Sequence, residues 1–409
     1  MQSARRRRGE AVIAALVTGA AVVIVGGAGV LYFGSTINPV HMNPAAIPSA
    51  PADADAGRYT AAVDEGRRLA RALMVAENLP GLSVAVGVGG DVVWAEGFGW
   101  ADLEKRQPVA PDTRFRIGTA STMLTSAAAG LLIEDGRLEL DREIQAYVPA
   151  FPKKPWPVTV RQVMAHQAGI RSDSGDEGPL FSQHCERPVD ALPSFAQDDL
   201  SFEPGTAYRF SRYGWIVMSA AIEAAAQEPF LAFMRDRIFE PLGMRDTKPD
   251  AGAVPAPGQA SAYFPRFAAN TRYGPDPMRD LDYSCYAGSS VFVSTPTDLV
   301  RFAIAVQGGR LLQPATVALL QTSQRLPSGQ ETGYGLGWDV ETVALGGKDT
   351  REVGHDGDSL GGTVASVMTF PERGIVVAVI SNISYADTFA IGSKIAEAFA
   401  AQARPRAGT

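Results

Sequence analysis

Hydroxyl side chains cluster at the start of a predicted helix in the segment FRIGTASTMLTSAAAGLLIEDG, residues 115–136. Thr119, Ser121 and Thr122 have the residue types that commonly cap the first turn of a helix. A threonine hydroxyl can also attack an acyl carbon when a base lies beside it. His355, in the segment GHDGDSLGG, is a candidate base because an imidazole has an ordinary pKa of about 6.5. The residue types leave helix capping and nucleophilic catalysis both open.

The elements that must position these residues are strands near both ends of the chain and helices between them. The segment LSVAVGVGGDVVWAEGFGWAD, residues 82–102, alternates apolar and small residues around Gly89-Gly90-Asp91 and predicts a β-hairpin. A second hairpin turn is predicted at Pro371–Gly374. The pattern predicts an α+β fold, in which an antiparallel sheet is flanked by terminal helices and carries an inserted, mainly helical subdomain. The predicted ranges are Thr60 to Asn78 and about Ala386 to Ala400 for the terminal helices, and about 119–280 for the insertion.

The N-terminal region has the pattern of a membrane anchor. Arg5 to Arg8 precede an uncharged run from Ala11 to Phe33, which is long enough to cross a bilayer of about 30 Å as a helix. Basic residues before such a run stay on the cytoplasmic side. Residues 1–34 are therefore predicted to be a basic cytoplasmic stub and a transmembrane anchor, with a cleaved signal peptide as the alternative. The globular domain is expected outside the cytoplasm.

The remaining chain divides into three parts. Residues 35–58 are rich in Pro, Ala and Asp without apolar periodicity, which predicts a flexible tether that contributes no core. Residues 59–403 form the globular domain, and residues 404–409 are a predicted tail.

Composition narrows the classes of partner. The 409 residues include 37 basic and 44 acidic ones, a net charge of -7 that argues against nucleic-acid binding. The four histidines lack the spacing of metal ligands and no phosphate-binding glycine loop is present, so no metal and no cofactor is predicted. Cys185 and Cys285 fit either a disulfide in an oxidising compartment or two buried thiols.

Seven phrases occur along the chain in a characteristic order: FRIGTAST, VMAHQAGI, FEPGTAYRFSRYGW, IFEPLGMRDT, YAGSSVFVSTPTDLVRFA, YGLGW and GHDGDSLGG. Together they make the chain from about Tyr59 to Ala400 resemble the serine beta-lactamase and penicillin-binding-protein-like superfamily, in particular its class C-like serine hydrolases. The resemblance implies a beta-lactamase/transpeptidase-like fold. It also implies a site formed by three motifs that meet in one cleft between the sheet and the helical insertion.

The first motif of that superfamily is Ser-x-x-Lys, in which the serine attacks and the lysine helps to take its proton. The resemblance places Thr119 in the nucleophile's position and Thr122 in the lysine's position. Ser121 lies two residues further on, on another face of the helix, with Leu124 where its lysine would be. The resemblance therefore implies a site that has lost its strongest base.

The other two motifs are Tyr-x-Asn and Lys-Thr-Gly or His-x-Gly. The second corresponds to Phe210-Ser211-Arg212, where the ring remains without its hydroxyl and a cation replaces an amide. The third corresponds to His355-Asp356-Gly357, whose imidazole and neighbouring amides could contact a substrate carboxylate or carbonyl oxygen. His166 is expected to be a hydrogen-bonding core residue. The predicted catalytic positions are Thr119, Thr122, Phe210 and His355, and the predicted ligand contacts are Ser121, Tyr208, Ser211, Arg212 and Gly357.

Two functions follow from the resemblance. The first is hydrolysis of amide or ester bonds in peptide, cell-wall-like or small acyl substrates, by Thr119 with His355 as base. The second is a noncatalytic relative whose cleft binds such ligands or whose domain is an interaction module. The expected partners are a small-molecule or peptide ligand and, through the N-terminal helix, a membrane. The sequence leaves the oligomeric state open.

Overall fold

The computed structural model describes residues 19, 23, 26, 27, 29, 38–52, 54, 56–172, 179–250, 256–279, 281–359 and 361–402. Most of the predicted anchor and the predicted tail at 404–409 lie outside these residues. Within them, no single helix has the length and apolar composition to cross a bilayer. The stretches Arg212–Ala226 and Phe230–Phe239, bent by 80° relative to each other, meet that test only as a pair.

The framework of the domain is an eight-stranded sheet. Its strands lie side by side in the order β1 (Ser49–Pro51), β3 (Asp91–Asp102), β2 (Gly81–Val88), β13 (Ile375–Ser381), β12 (Thr363–Phe370), β11 (Lys348–Ser359) and β10 (Asp339–Leu345), and β4 (Gln107–Pro108) pairs with β3. All of its pairings are antiparallel, which confirms the predicted α+β class. The other strands form two small sheets: β5 (Phe115–Arg116), β9 (Phe292–Ser294) and β6 (Lys248–Pro249) in one, and β7 (Tyr263–Pro265) and β8 (Pro275–Pro277) in the other.

Helices cover both faces of this sheet. Leu82, Val84 and Val86 pack in one apolar cluster with the terminal helices, whereas Ala85 belongs to the core shared with the insertion. This alternation follows from the period of two in a β-strand. The helices are α1 (Thr60–Ala76), α2 (Ser121–Glu134), α3 (Val160–Met164), α4 (Arg212–Ala226), α5 (Phe230–Met234), α6 (Pro296–Gln307), α7 (Pro314–Leu320) and α8 (Thr388–Ala400).

The expectation that the segment before α1 contributes no core is wrong for residues 38–52. Strand β1 pairs with β3 at the edge of the main sheet, and Ile47 is buried. The Asn78 side chain accepts a hydrogen bond from the Val40 amide at 2.7 Å and donates to the Asn38 carbonyl at 3.1 Å. An edge strand is held by backbone hydrogen bonds to its one neighbouring strand. A segment of low apolar content can therefore still be fixed to the sheet.

The two cysteines form a disulfide, which resolves the alternatives that their residue types left open. The Cys185 and Cys285 sulfurs are 2.02 Å apart and the bond closes a loop with a sequence separation of 100. The Cys185 amide also donates to the Ser284 hydroxyl at 2.9 Å. The bond therefore fixes a segment of the insertion to the turn that precedes β9.

Candidate active site

Thr119 lies in a short 3-10 turn, Gly118–Ala120, that leads directly into α2. The capping role that its residue type suggested is not what the structure shows, since the N-cap is Ala120 and no side chain caps this helix. The Thr119 hydroxyl instead donates to the main-chain carbonyl of Asp356 on β11 at 3.2 Å. Only 5% of Thr119 is exposed. The hydroxyl is therefore held at the floor of the cleft by a weakly basic acceptor.

The two other hydroxyls of the first motif are beneath the cleft surface. Ser121 and Thr122 are both fully buried, and their hydroxyl oxygens have no hydrogen-bond partner in the part of the chain that the structure describes. Helix α2 is buried on nearly all sides, which explains why neither side chain reaches solvent. Thr122 cannot replace a lysine as a base, because a hydroxyl has no comparable proton affinity.

His355 is buried on β11, one residue before the carbonyl that Thr119 contacts. Its Nδ1 lies 2.6 Å from the Asp356 carbonyl oxygen, so Nδ1 carries the proton in this arrangement. Its Nε2 is 3.1 Å from the Tyr334 hydroxyl and accepts that hydrogen bond in the neutral form. Burial and the charge of Asp339 raise the pKa of Tyr334 well above its usual value, which keeps this hydroxyl protonated. Both imidazole nitrogens are thus engaged.

Gly357 lets β11 approach the turn that carries Thr119. A Cβ atom at this position would lie 2.0 Å from the Ile117 carbonyl oxygen and 2.7 Å from the Ala120 nitrogen. Such distances are far inside van der Waals contact, so a larger residue would push the strand and the turn apart. The glycine of the third motif therefore sets the distance between His355 and Thr119 rather than presenting a side chain to a ligand.

His166 lies at the centre of an aromatic cluster in the cleft wall. Its ring centroid is 4.6 Å from that of Phe210, 4.7 Å from that of Tyr334 and 5.9 Å from that of Tyr208. Its Nδ1 accepts the Ser211 amide at 3.0 Å, as expected for a hydrogen-bonding core residue. Burial, together with the nearby His355, lowers the pKa of His166 to about 3. The ring is therefore neutral at physiological pH.

The residues in and beside the second motif form part of the cleft wall and cap helix α4. Tyr208 is 37% exposed and its ring centroid is 5.8 Å from that of Tyr334, so it does face the same cluster as Phe210. The Ser211 hydroxyl accepts from the Gly214 amide at the start of α4 and donates to the Arg171 carbonyl. Ser211 is buried and caps this helix, which leaves the neighbouring Arg212 at the cleft surface.

Carboxylates surround the third motif. Asp339, at the start of β10, lies 3.8 Å from His355 Nδ1 and accepts a long hydrogen bond of 3.4 Å from the Asp356 amide. Burial raises the pKa of Asp356 to about 6, although its side chain is still accessible. A hydrogen bond from Ser366 opposes this rise, and the charge of Asp339 adds to it. Burial raises the pKa of Asp358 to about 6, and Arg212 counteracts this effect.

The structure thus brings Thr119, His355, Phe210 and Arg212 to one cleft from three parts of the chain. The guanidinium of Arg212 donates to the Asp358 carbonyl at 3.4 Å, and Thr119 contacts the same strand through Asp356. Sequence reasoning gave no role to Tyr334 and Asp339. Both stand at the ends of the phrase YGLGWD, which was a recognisable signal without an assigned chemistry.

The fold and the cleft define a serine beta-lactamase-like protein. The sequence matches the beta-lactamase family over residues 67–402, and the chain belongs to that family.

Its relatives include eukaryotic and bacterial proteins. The chain is 25% identical to the mitochondrial serine beta-lactamase-like protein LACTB of Mus musculus, over 86% of this chain and 83% of that protein. It is 27% identical to penicillin-binding protein 4 of Amycolatopsis lactamdurans, over 82% of this chain and 92% of that protein. The octameric penicillin-binding protein homologue from Pyrococcus abyssi has a similar fold, with a TM-score of 0.68 and 23% identity over 81% of this chain and 76% of that one.

Proposed function

We propose that this protein is a ligand-binding member of the beta-lactamase family that lacks the hydrolysis of amide or ester bonds by a nucleophile at position 119 that a relative with the full Ser-x-x-Lys set carries out. The observation that carries the proposal is the hydrogen bond from the Thr119 hydroxyl to the Asp356 carbonyl. A carbonyl oxygen cannot take up the proton that a nucleophilic hydroxyl must lose. The resting site therefore holds Thr119 in an unactivated form.

The missing groups account for the expected loss of rate. A positioned general acid or base typically contributes roughly 10²- to 10⁴-fold, and groups that act together do not contribute additively. Thr122 and Phe210 occupy the positions of the lysine and the tyrosine. Thr119 itself is nearly inaccessible, which supports binding above the cleft floor rather than attack from it.

Slow hydrolysis by Thr119 is the second candidate, and one observation favours it. His355 directly precedes the residue whose carbonyl Thr119 contacts, so a ligand that displaced this bond would leave the hydroxyl close to an imidazole. A histidine has a suitable proton affinity for a base at neutral pH. In this alternative, the neutral imidazole would carry its proton on Nε2 and donate it to the Tyr334 hydroxyl, which leaves Nδ1 free to accept the proton that Thr119 loses.

Mass spectrometry after exposure to a fluorescent penicillin and to 4-nitrophenyl acetate tests both candidates. The ligand-binding proposal expects no adduct on Thr119 with either reagent. The matched control is Thr119→Val, which keeps the shape of the side chain and removes the hydroxyl. An adduct that appears in the unaltered protein and is lost in Thr119→Val would support slow hydrolysis instead.

We also propose that residues 1–34 anchor the domain to a membrane with the fold on the non-cytoplasmic side. The apolar run from Ala11 to Phe33 and the preceding arginines support the anchor. The Cys185–Cys285 disulfide supports an oxidising compartment. Protease treatment of sealed vesicles from cells expressing the full chain tests the orientation. Full protection of the domain in right-side-out vesicles would contradict it.

A further inference from the structure

The packed part of the domain begins only a few residues after the proposed anchor. Residues 1–34 are the proposed anchor, and the structure describes Asn38 onward as packed against the domain. The proposed anchor places Phe33, the last residue of its apolar run, where the hydrocarbon of a bilayer gives way to the headgroups. Four residue steps of at most about 3.6 Å each keep Asn38 within about 14 Å of Gly34. Asn38 is therefore confined to the neighbourhood of the headgroups.

A buried side chain joins Asn38 to a hairpin loop of the domain. The Asn78 side-chain nitrogen donates to the Asn38 carbonyl at 3.1 Å and to the Thr271 carbonyl at 3.3 Å. Asn78 is only 5% exposed, so a group inside the fold holds both segments in place. Thr271 begins a 3-10 turn in the loop 266–274, which connects β7 to β8. This loop therefore lies beside the point at which the chain leaves the domain towards the anchor.

The composition of this loop suits contact with lipid headgroups. Its sequence, RFAANTRYG, contains two arginines and two aromatic residues and has no acidic residue. Arg266, Arg272 and the loop tip at residues 268–270 are exposed. Phe267 and Tyr273 are half-buried below the tip, with their ring centroids 6.1 Å apart. Arginine pairs with phosphate groups, and tyrosine is enriched at the headgroup level of membranes.

Met42 extends the same surface with an exposed apolar side chain. It is 84% exposed, although methionine is a large apolar residue. It borders a surface recess of about 550 Å³ that is also lined by Asn38, by Arg106, by Pro48 before β1 and by Pro275 at the start of β8. The recess therefore joins the start of the packed segment and the β7–β8 hairpin into one face of the domain. Apolar side chains on such a face gain free energy when they enter the headgroup layer.

The charges on this face are nearly balanced. Arg266 pairs with Asp276 at 2.7 Å, and Arg272 lies within electrostatic reach of the half-buried Glu77. The neighbouring turn Leu103–Arg106 carries one acidic and two basic residues. A face of this kind is not repelled by lipid phosphates, so the short connection to the anchor and the apolar groups are sufficient to hold it at a bilayer.

We propose that the face formed by Asn38, Met42 and the loop 266–274 lies on the lipid bilayer that holds the anchor, with the loop tip among the headgroups. This inference deepens the proposed membrane anchoring and rests on it. The domain then has one fixed orientation on the membrane. A flexible tether would instead allow every orientation.

Fluorescence quenching of the full chain in phosphatidylcholine vesicles tests this orientation. Ala269→Cys and the matched control Ala344→Cys each add one exposed thiol, because the native cysteines are joined in the disulfide. A membrane-impermeant maleimide fluorophore labels the outward-facing domains. The quencher is phosphatidylcholine with a nitroxide on its headgroup, which acts only on fluorophores near the bilayer surface.

The control position lies at the opposite corner of the main sheet. Ala344 is on β10, at the other edge from β1, and near the strand ends formed by Val88 and Ile375 rather than those near Gly81. Because six strand spacings of about 4.8 Å separate β10 from β1, we expect the label at position 269 to be quenched at least about threefold more than the label at position 344.

A charge reversal in the loop gives a second measurement, in vesicles of equal parts phosphatidylcholine and phosphatidylglycerol. Arg272→Glu, combined with the label at position 269, should lower the ratio of docked to undocked domain by about fivefold, because it removes a cation from an anionic surface. The matched control is Lys348→Glu, an exposed position in the turn between β10 and β11. It should leave the quenching unchanged.

Alkaline extraction of the same vesicles separates this inference from the anchor itself. Stronger quenching at position 269 that falls with Arg272→Glu and not with Lys348→Glu would support the orientation. Equal quenching of the two labels, or equal effects of the two charge reversals, in a chain that resists extraction would overturn the orientation and leave the anchor standing. Release of the chain by alkali would contradict the anchor and this inference with it.

Discussion

The Thr119 hydroxyl and the Asp356 carbonyl are joined by a hydrogen bond of 3.2 Å that links the turn before α2 to strand β11. This bond occupies the hydroxyl that the family resemblance assigned to nucleophilic attack. It also ties the position of Thr119 to the strand that carries His355. The packing of β11 on this turn therefore determines the geometry of the site and leaves the Thr119 hydroxyl bonded to a carbonyl oxygen rather than to a base.

Gly357→Ala should separate the two elements. The added Cβ would meet the Ile117 carbonyl oxygen at 2.0 Å, so we expect a loss of about 1 to 3 kcal/mol in the free energy of unfolding. Urea unfolding followed by circular dichroism measures it. Gly214→Ala in α4 is the control, since its Cβ would have no neighbour closer than 3.6 Å and alanine favours a helix. Equal stability of the two variants would contradict the close packing described here.

Stability should fall in acid because His166 is buried in its neutral form. Burial lowers its pKa to about 3, whereas an unfolded histidine titrates near 6.5. The folded state thus binds fewer protons between these values. The contribution of His166 is fully present above about pH 6.5 and is lost as the pH falls towards 3, with a slope of up to about 1.4 kcal/mol per pH unit.

Urea unfolding of the unaltered protein and of His166→Gln between pH 7.5 and 4 measures this contribution. The glutamine can still accept the Ser211 amide through its side-chain oxygen. We expect the substituted protein to be less stable at pH 7.5 and to lose less stability in acid. Parallel pH profiles for the two proteins would show that His166 does not titrate as its burial implies.

Truncation should distinguish the anchor from the packed segment that follows it. Removal of residues 1–34 should leave the domain folded, because it keeps the contacts that the structure describes from residue 38 onward. Removal of residues 1–52 also deletes β1 and buried Ile47, and it should cost at least about 2 kcal/mol. Thermal unfolding of the two truncated proteins in the same buffer compares them. Identical stabilities would mean that residues 38–52 add nothing to the fold.

Rebuilding the missing catalytic groups should restore hydrolysis cooperatively. Thr119→Ser alone should change little, since removal of a methyl group supplies no base. The triple variant Thr119→Ser, Thr122→Lys and Phe210→Tyr should exceed the summed gains of its single changes, because these groups act as a unit. Adding Arg212→Asn should help further by removing a like charge near the lysine. The readout is hydrolysis of 4-nitrophenyl acetate, with folding checked by circular dichroism, and purely additive gains would contradict a coupled unit.

The sequence predicts the central hairpin of the main sheet better than the short strand at its edge. The alternation of Leu82, Val84 and Val86 is a local signal, and the hairpin and its turn at Gly89-Gly90 follow from it. Strand β1 escapes prediction because it is three residues long and is held by pairing with Phe98 and its neighbours on β3, a contact between distant parts of the chain.

Some residues of the candidate site can be predicted from the sequence and others cannot. Thr119 and His355 can be located from motif order, which carries information about tertiary structure. Asp339 gives no comparable signal, because its proximity to His355 depends on the antiparallel register of β10 and β11, which pairs Asp339 with Gly354. The hydrogen bond between Tyr334 and His355 likewise exists only once the phrase YGLGW packs against β11.

The most direct measurement of the central claim is the steady-state hydrolysis of a chromogenic cephalosporin and of 4-nitrophenyl acetate by the unaltered protein, Thr119→Val and His355→Ala. If the cleft binds ligands without an activated nucleophile, all three proteins should hydrolyse both compounds at the same low rate. Brisk turnover by the unaltered protein that both substitutions abolish would contradict the account and would make Thr119 and His355 a working catalytic pair.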